Sequence, residues 1–215
     1  MHLLKAIVYY GVFDSCDLFY GYHTILILVD APYDNGELKV ELDGILQNLL
    51  DAVREMACDN RDCTVKTVVL TPPLANGYSF DFPAMADNCI WQKLEIGKTD
   101  DLNGFFSQFN SMLSSKCLLP GKKRNLPPVI ILLSAKAHSD DYEAGMEELK
   151  RNKWFCYSRR VAIDLIDGAS GVLMANFTGD KDAVLYPCDM ELIKKLLKPT
   201  RLIGLLGKIE EDWDW

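Results

Sequence analysis

Two uninterrupted apolar runs, "ILILV" at residues 25–29 and "VIILL" at residues 129–133, constrain this chain more than anything else in it. A strand with one wet face alternates apolar and polar residues, so a strand apolar at every position must be covered on both sides. Each run is far shorter than a membrane span, and the chain has no stretch of about 18 apolar residues that could form one. The runs therefore read as inner strands of a sheet sandwiched between helices.

The segments around them supply those helices. After "HTILILVD" (residues 23–30), the positions Leu38, Leu42, Ile45, Leu46, Leu49, Leu50, Val53 and Met56 recur at intervals of three and four, the mark of one buried helix face. Residues 64–71 read as a strand stopped by Pro72 and Pro73, and residues 72–88 as irregular. "CIWQKLEI" (89–96) reads as a short strand. Thr99, followed by Asp100 and Asp101, looks like a hydroxyl cap with acids at the positive end of a helix dipole. Leu102, Phe105, Phe106, Phe109, Met112 and Leu113 then form that helix's stripe. Residues 129–135 are a strand, 139–152 a helix, 158–167 a strand and 183–186 a short edge segment. A last helix runs from Asp189 to Pro199 with Leu192, Ile193, Leu196 and Leu197 turned inward. Strands alternating with helices predict an α/β domain: a three-layer, Rossmann-like, doubly wound and mostly parallel sheet. Its expected extent is residues 23–198. Residues 1–22, with a strand-like stretch at 4–13, are expected to add a strand or hairpin that covers a sheet edge or meets a second copy, and residues 199–215 form an acidic tail.

Composition removes several functional classes. The chain carries 31 acidic against 23 basic side chains, a net charge of −8, which repels nucleic acid and anionic membranes. The 7 cysteines are scattered with no metal-ligand spacing, as reduced thiols of a cytoplasmic protein would be. The opening residues lack the basic cluster and small-residue cleavage site of a secretory signal.

Chemistry-bearing motifs are also thin. Gly97-Lys98-Thr99 resembles the end of a phosphate loop, but Gln92 stands where that loop needs its first glycine, and Asp100 and Asp101 would repel the anion. There is no GxGxxG after the first strand and no GxSxG elbow. His2, His23 and His138 have no nucleophile or metal-ligand spacing nearby. These observations point away from an enzyme. The remaining candidate position is Asp30, which ends an inner strand at the edge where open α/β sheets place their sites.

At this point the order of elements, and "LLSAKAHSDDY" (132–142) above all, resemble a von Willebrand factor type A domain of the bacterial tellurium-resistance-like branch, whose equivalent stretch reads like "LLSDGxPTDDY". "RVAIDLID", "FTGDKDAVLY" and "DMELIKKLL" are similar to that branch's closing elements. The resemblance implies a divalent-cation site built from Asp-x-Ser-x-Ser, a threonine and a later aspartate. Mapped onto this chain, the first aspartate is Asp30, the serine places hold Pro32 and Asp34, the threonine corresponds to Thr99, and the later aspartate is Ala135. Such a set implies a degenerate adhesion site with no resident cofactor. Weak Mg²⁺ binding through Asp30, Asp34 and Thr99 is the alternative, and a plain backbone turn after Asp30 is a further reading of the same residues.

The resemblance implies a non-enzymatic protein-interaction module in a bacterial stress or defence assembly. A Mg²⁺-dependent binding module and an enzyme with an unrecognised site are the alternatives. The partner is expected to be a protein, or a second copy of the chain, and neither nucleic acid nor membrane. Trp213 and Trp215, set beside Asp212 and Asp214 in "IEEDWDW" (209–215), are costly to expose without use. They are expected either to anchor in a partner's pocket, with the acids steering toward a basic surface, or to fold back onto this domain or another copy.

Overall fold

The computed structural model describes residues 21–30, 36–59, 63–71, 78–82, 101–114, 118–119, 125–135, 141–165 and 171–197. The elements are β1 (Gly21–Asp30), α1 (Gly36–Asp59), β2 (Cys63–Leu70), β3 (Tyr78–Phe82), α2 (Leu102–Ser114), β4 (Val129–Ser134), α3 (Glu143–Lys150), α4 (Lys153–Tyr157), β5 (Arg159–Asp164), α5 (Gly171–Thr178), β6 (Val184–Leu185) and α6 (Met190–Leu197). Two 3₁₀ turns, Lys181–Ala183 and Pro187–Asp189, flank β6.

The described strands form one sheet in the order β3-β2-β1-β4-β5-β6. All pairings are parallel except β2 with the edge strand β3. The two apolar runs lie side by side, Ile25 opposite Val129 through Asp30 opposite Ser134. Every residue of β1 from Ile25 to Val29 is 0 % exposed, as two-sided cover requires. Alternation divides the core. Ile25, Ile27, Val29, Ile131, Leu133 and Ile163 meet α1 and α6 on one face. Leu26, Leu28, Ile130, Leu132 and Ala162 meet α2, α3 and α5 on the other. Each such fully buried side chain stabilises the fold by about 1.5–3 kcal/mol before entropy is counted.

The α/β, mostly parallel architecture stands as expected, and several local expectations change. Residues 78–82, read as irregular, form β3. The helix expected over 139–152 is α3, confined to Glu143–Lys150, and a further short helix, α4, follows it, capped by the Asn152 side chain, which accepts from the Trp154 amide at 3.0 Å. Residues 171–178, left unassigned, form α5. Leu192 is 45 % exposed instead of buried, while Ile193 and Leu197 do face the core. The α2 helix is capped by Asp101, whose Oδ1 accepts from the Gly104 amide at 2.7 Å. Residues 1–20, the expected strand 89–96, Thr99 and residues 198–215 lie outside the described residues.

Helices α2 and α3 lie abreast. Asn103 Oδ1 accepts from the Gly145 amide, Ser107 donates to Glu148 at 3.1 Å, and the Asn152 side-chain Nδ2 donates to Asn110 Oδ1 at 2.8 Å. Gly145 permits this approach, because a Cβ there would overlap the Asn103 carbonyl oxygen. At the opposite side of the sheet, the final turn of α6 is tied down at the amino end of the strands. His23 Nε2 lies 2.9 Å from the Leu197 carbonyl and donates to it, and Arg159 Nη1 donates to the Leu196 carbonyl at 2.8 Å.

Two outcomes follow from these contacts. Gly145→Ala is expected to cost about 1–3 kcal/mol through overpacking. Gly44→Ala, on an exposed helical position with nothing within 4 Å of the added Cβ, should gain roughly 0.5–1 kcal/mol. Urea midpoints of the two variants check this, and equal midpoints would contradict it. The second outcome concerns pH. Burial, and secondarily the nearby Arg159 charge, hold His23 below its ordinary pKa against the raising effect of the Leu197 bond. The unfolded chain therefore binds the proton more readily. The neutral-His23 contribution is intact above about pH 6.5, erodes as the pH falls toward the folded pKa and is lost below it, at up to about 1.4 kcal/mol per pH unit. His23→Gln should flatten this part of the stability–pH curve; curves parallel to the parent would refute the assignment.

Candidate functional site

The inner parallel strands exchange apolar for polar residues at one common level. Register sets Asp30 opposite Ser134, and Ser134 opposite Asp164. Each lies two positions past an apolar residue of the face that meets α2, α3 and α5 (Leu28, Leu132 and Ala162), so alternation puts all three side chains on that face. All three are buried, at 3 %, 0 % and 2 % exposure. The result is a carboxylate–hydroxyl–carboxylate row across three neighbouring strands, at the carboxyl ends where this class of sheet carries its sites.

Buried polar groups must be satisfied, and here the row begins to satisfy itself. Ser134 Oγ donates to Asp30 Oδ2 at 3.2 Å. The backbone ladder also continues past the strand ends: the Ala135 amide donates to the Asp30 carbonyl at 3.1 Å, and the Leu165 amide donates to the Ser134 carbonyl at 3.0 Å. Thr71, one residue past β2, is buried too, and its Oγ1 has no hydrogen-bond partner among the described residues.

Of the residues expected at a metal site, Asp30 occupies the predicted strand end and Ala135 follows β4 as part of the α1-side core, offering no side-chain oxygen. Asp34 and Thr99 lie outside the described residues, as do Pro32, Trp213, Trp215, Asp212 and Asp214. Mg²⁺ requires an octahedral shell of oxygen donors. Among the described residues there is no group of three or more His, Cys, Asp or Glu side chains placed to hold a metal ion. Asp30 Oδ2 accepts from Ser134, and of the described residues at the expected positions Asp30 alone offers a side-chain oxygen.

Ser134 and Asp164 were missed as site residues by reading the chain alone. The available signal was three strands whose apolar runs all stop at Asp or Ser, but recognising a row needs the register between strands whose paired residues lie 104 (Asp30–Ser134) and 30 (Ser134–Asp164) positions apart. His23 belongs to the opposite end of the sheet and serves packing. Cys58 and Cys156 are exposed free thiols, and the side chain of Cys63, the nearest cysteine to Cys58, lies outside the described residues. No helix among the described residues is long and apolar enough to cross a membrane.

The sequence matches no protein-family model and no curated protein. Solved structures do resemble it. Proximal thread matrix protein 1 from the mussel byssus, in its second crystal form, matches 82 % of this chain and 47 % of its own with 14 % identity and a TM-score of 0.52. The same protein with a zinc-occupied MIDAS motif gives a TM-score of 0.51 at 14 % identity, over 82 % of this chain and 47 % of that one. The pilus adhesin SpaC from Lactobacillus rhamnosus GG, in its open conformation, matches 82 % of this chain and 30 % of its own with 13 % identity and a TM-score of 0.52. The chain thus spans less than half the length of these proteins. At such identities the likeness is one of fold, and the fold is von Willebrand A-like.

The Ser134–Asp30 bond has a measurable consequence. Removing a hydrogen bond to a buried charged group costs about 1.5–3 kcal/mol, so Ser134→Ala should lower the unfolding free energy by that amount at neutral pH. The effect should shrink when Asp30→Asn is also present, because the two side chains act as a pair. Fully additive losses in a urea-unfolding cycle would show that the contact carries no energy.

Proposed function

We propose that this chain is a non-enzymatic protein-interaction module in which a von Willebrand A-like framework persists while its adhesion-type metal site is vestigial. The observation that carries the reading is the Asp30 carboxylate, hydrogen-bonded by Ser134 at 3.2 Å, in a strand-end row where Ala135 brings no oxygen. Pro32, in place of a liganding serine, removes another donor. A rigid sheet covered on both faces is suited to holding such an edge and its connecting loops in fixed geometry. The resemblance of "LLSAKAHSDDY" to the tellurium-resistance-like branch supports a place in a cytoplasmic bacterial stress or defence assembly. Names of structural neighbours, a byssal matrix protein and a pilus adhesin, agree with a binding role over a catalytic one.

The second reading keeps a working cation: Asp30, Asp34 and Thr99 hold Mg²⁺ and leave a coordination place for a partner's carboxylate. It draws on the zinc-occupied motif of the mussel protein. The two readings separate in one experiment. Under the first, titration with millimolar Mg²⁺ gives no heat above dilution and no change in melting temperature, and capture of partners from a bacterial lysate is the same in Mg²⁺ as in EDTA. Saturable heat, a raised melting temperature and EDTA-sensitive capture would establish the second reading in its place.

A further inference from the structure

In a chain of net charge −8, residues 150–160, "KRNKWFCYSRR", contain Lys150, Arg151, Lys153, Arg159 and Arg160 and no acid. This stretch comprises the end of α3, all of α4 and the start of β5, so it lies at the amino end of the strands, away from Asp30. Arg151, Lys153 and Cys156 are exposed, and Tyr157, 43 % exposed, lies four residues from Lys153 on α4 and so shares its helix face. Lys150 is bonded to Glu147 on the preceding turn, and Glu148 accepts from Ser107, so the nearest acids have partners already. Beneath this ledge the Arg160 guanidinium sits 4.8 Å from the Phe155 ring centre, a stacked cation–aromatic contact that holds the surface in shape.

The path of the chain leads to the same place. Arg159 holds the Leu196 carbonyl and His23 the Leu197 carbonyl, so Leu197, the last described residue, lies at the amino end of the sheet, next to the start of β5. Residues 198–208 can span up to about 36–40 Å when extended, several times the ~10 Å thickness of a packed layer. They are followed by Ile209, Glu210, Glu211, Asp212, Trp213, Asp214 and Trp215, a segment whose alternating acids and aromatics complement cations set around an exposed tyrosine.

We propose that the ledge formed by Arg151, Lys153 and Tyr157 is a binding surface for an acidic, tryptophan-containing segment, and that its occupant is residues 209–215 of the same chain. The acids pair with Arg151 and Lys153, and a tryptophan covers Tyr157. This assignment is independent of whether Asp30 binds a cation.

Zero-length carbodiimide crosslinking of the intact protein tests it. An equal mixture of ¹⁴N- and ¹⁵N-labelled chains is read by mass spectrometry. Crosslinks from Lys150 or Lys153 to the acids of residues 210–214 are expected within single-label chains. Their yield should fall at least fivefold in Arg151→Glu, which keeps both lysines, and recover when Glu211→Arg is added. An unchanged melting temperature for Arg151→Glu establishes that the fold is intact, and Tyr157→Ala gives a second disruption if it is not. Crosslinks found only between labels would assign the segment to a second copy and overturn the proposal. So would absence of these crosslinks, or yields that neither variant alters.

Discussion

The parallel pairing of residues 25–30 with 129–134 is the constraint on which the rest of the structure depends. The paired runs 25–29 and 129–133 are apolar at every position, so neither is stable until helices cover the two faces. Alternation then assigns Ile25, Ile27 and Val29 to α1 and α6, and Leu26 and Leu28 to α2, α3 and α5. A slip of one residue would exchange the two sets and move Asp30 out of line with Ser134. Core packing and site geometry are therefore one requirement: the register that closes the hydrophobic layers is the register that aligns Asp30, Ser134 and Asp164.

That alignment explains why a carboxylate at the end of an inner strand tolerates near-complete burial. An isolated buried charge is costly, whereas one that receives a hydroxyl hydrogen bond and sits where the backbone ladder is still paired is held in place. The domain consequently has two unlike ends. The carboxyl end presents a buried polar row, Asp30, Ser134 and Asp164. The amino end carries the exposed basic side chains Arg151 and Lys153, with Tyr157, and the end of α6 at Leu197. The seven-residue rise from His23 to Asp30 separates them by about 23 Å, too far for one small contact to use both.

Much of this was legible in the sequence where the signal is local. The α1 stripe reads directly, and Leu42, Ile45, Leu46, Leu49, Leu50, Val53 and Met56 are all buried. The inner strands read from their lack of alternation. Failures came where context overrides local pattern. β3 lies among Pro, Gly and Asn and is a strand because β2 offers it an edge. The α5 helix begins with small residues and is apolar nearly all round, so no stripe marks it. On α6, Leu192 shares the helical spacing of its neighbours but falls on the outer side once Ile193 and Leu197 face the sheet. Asp30 could be singled out as a strand terminus; Ser134 and Asp164 join it only through pairing across long sequence separations, which no local pattern encodes.

The proposal that the adhesion-type metal site at the Asp30 end is vestigial is most directly tested by anomalous diffraction from crystals soaked in Mn²⁺. No manganese peak is expected within coordinating distance of Asp30, and the Ser134 Oγ–Asp30 Oδ2 hydrogen bond is expected to be retained. A fully occupied octahedral manganese ligated by Asp30 would contradict it.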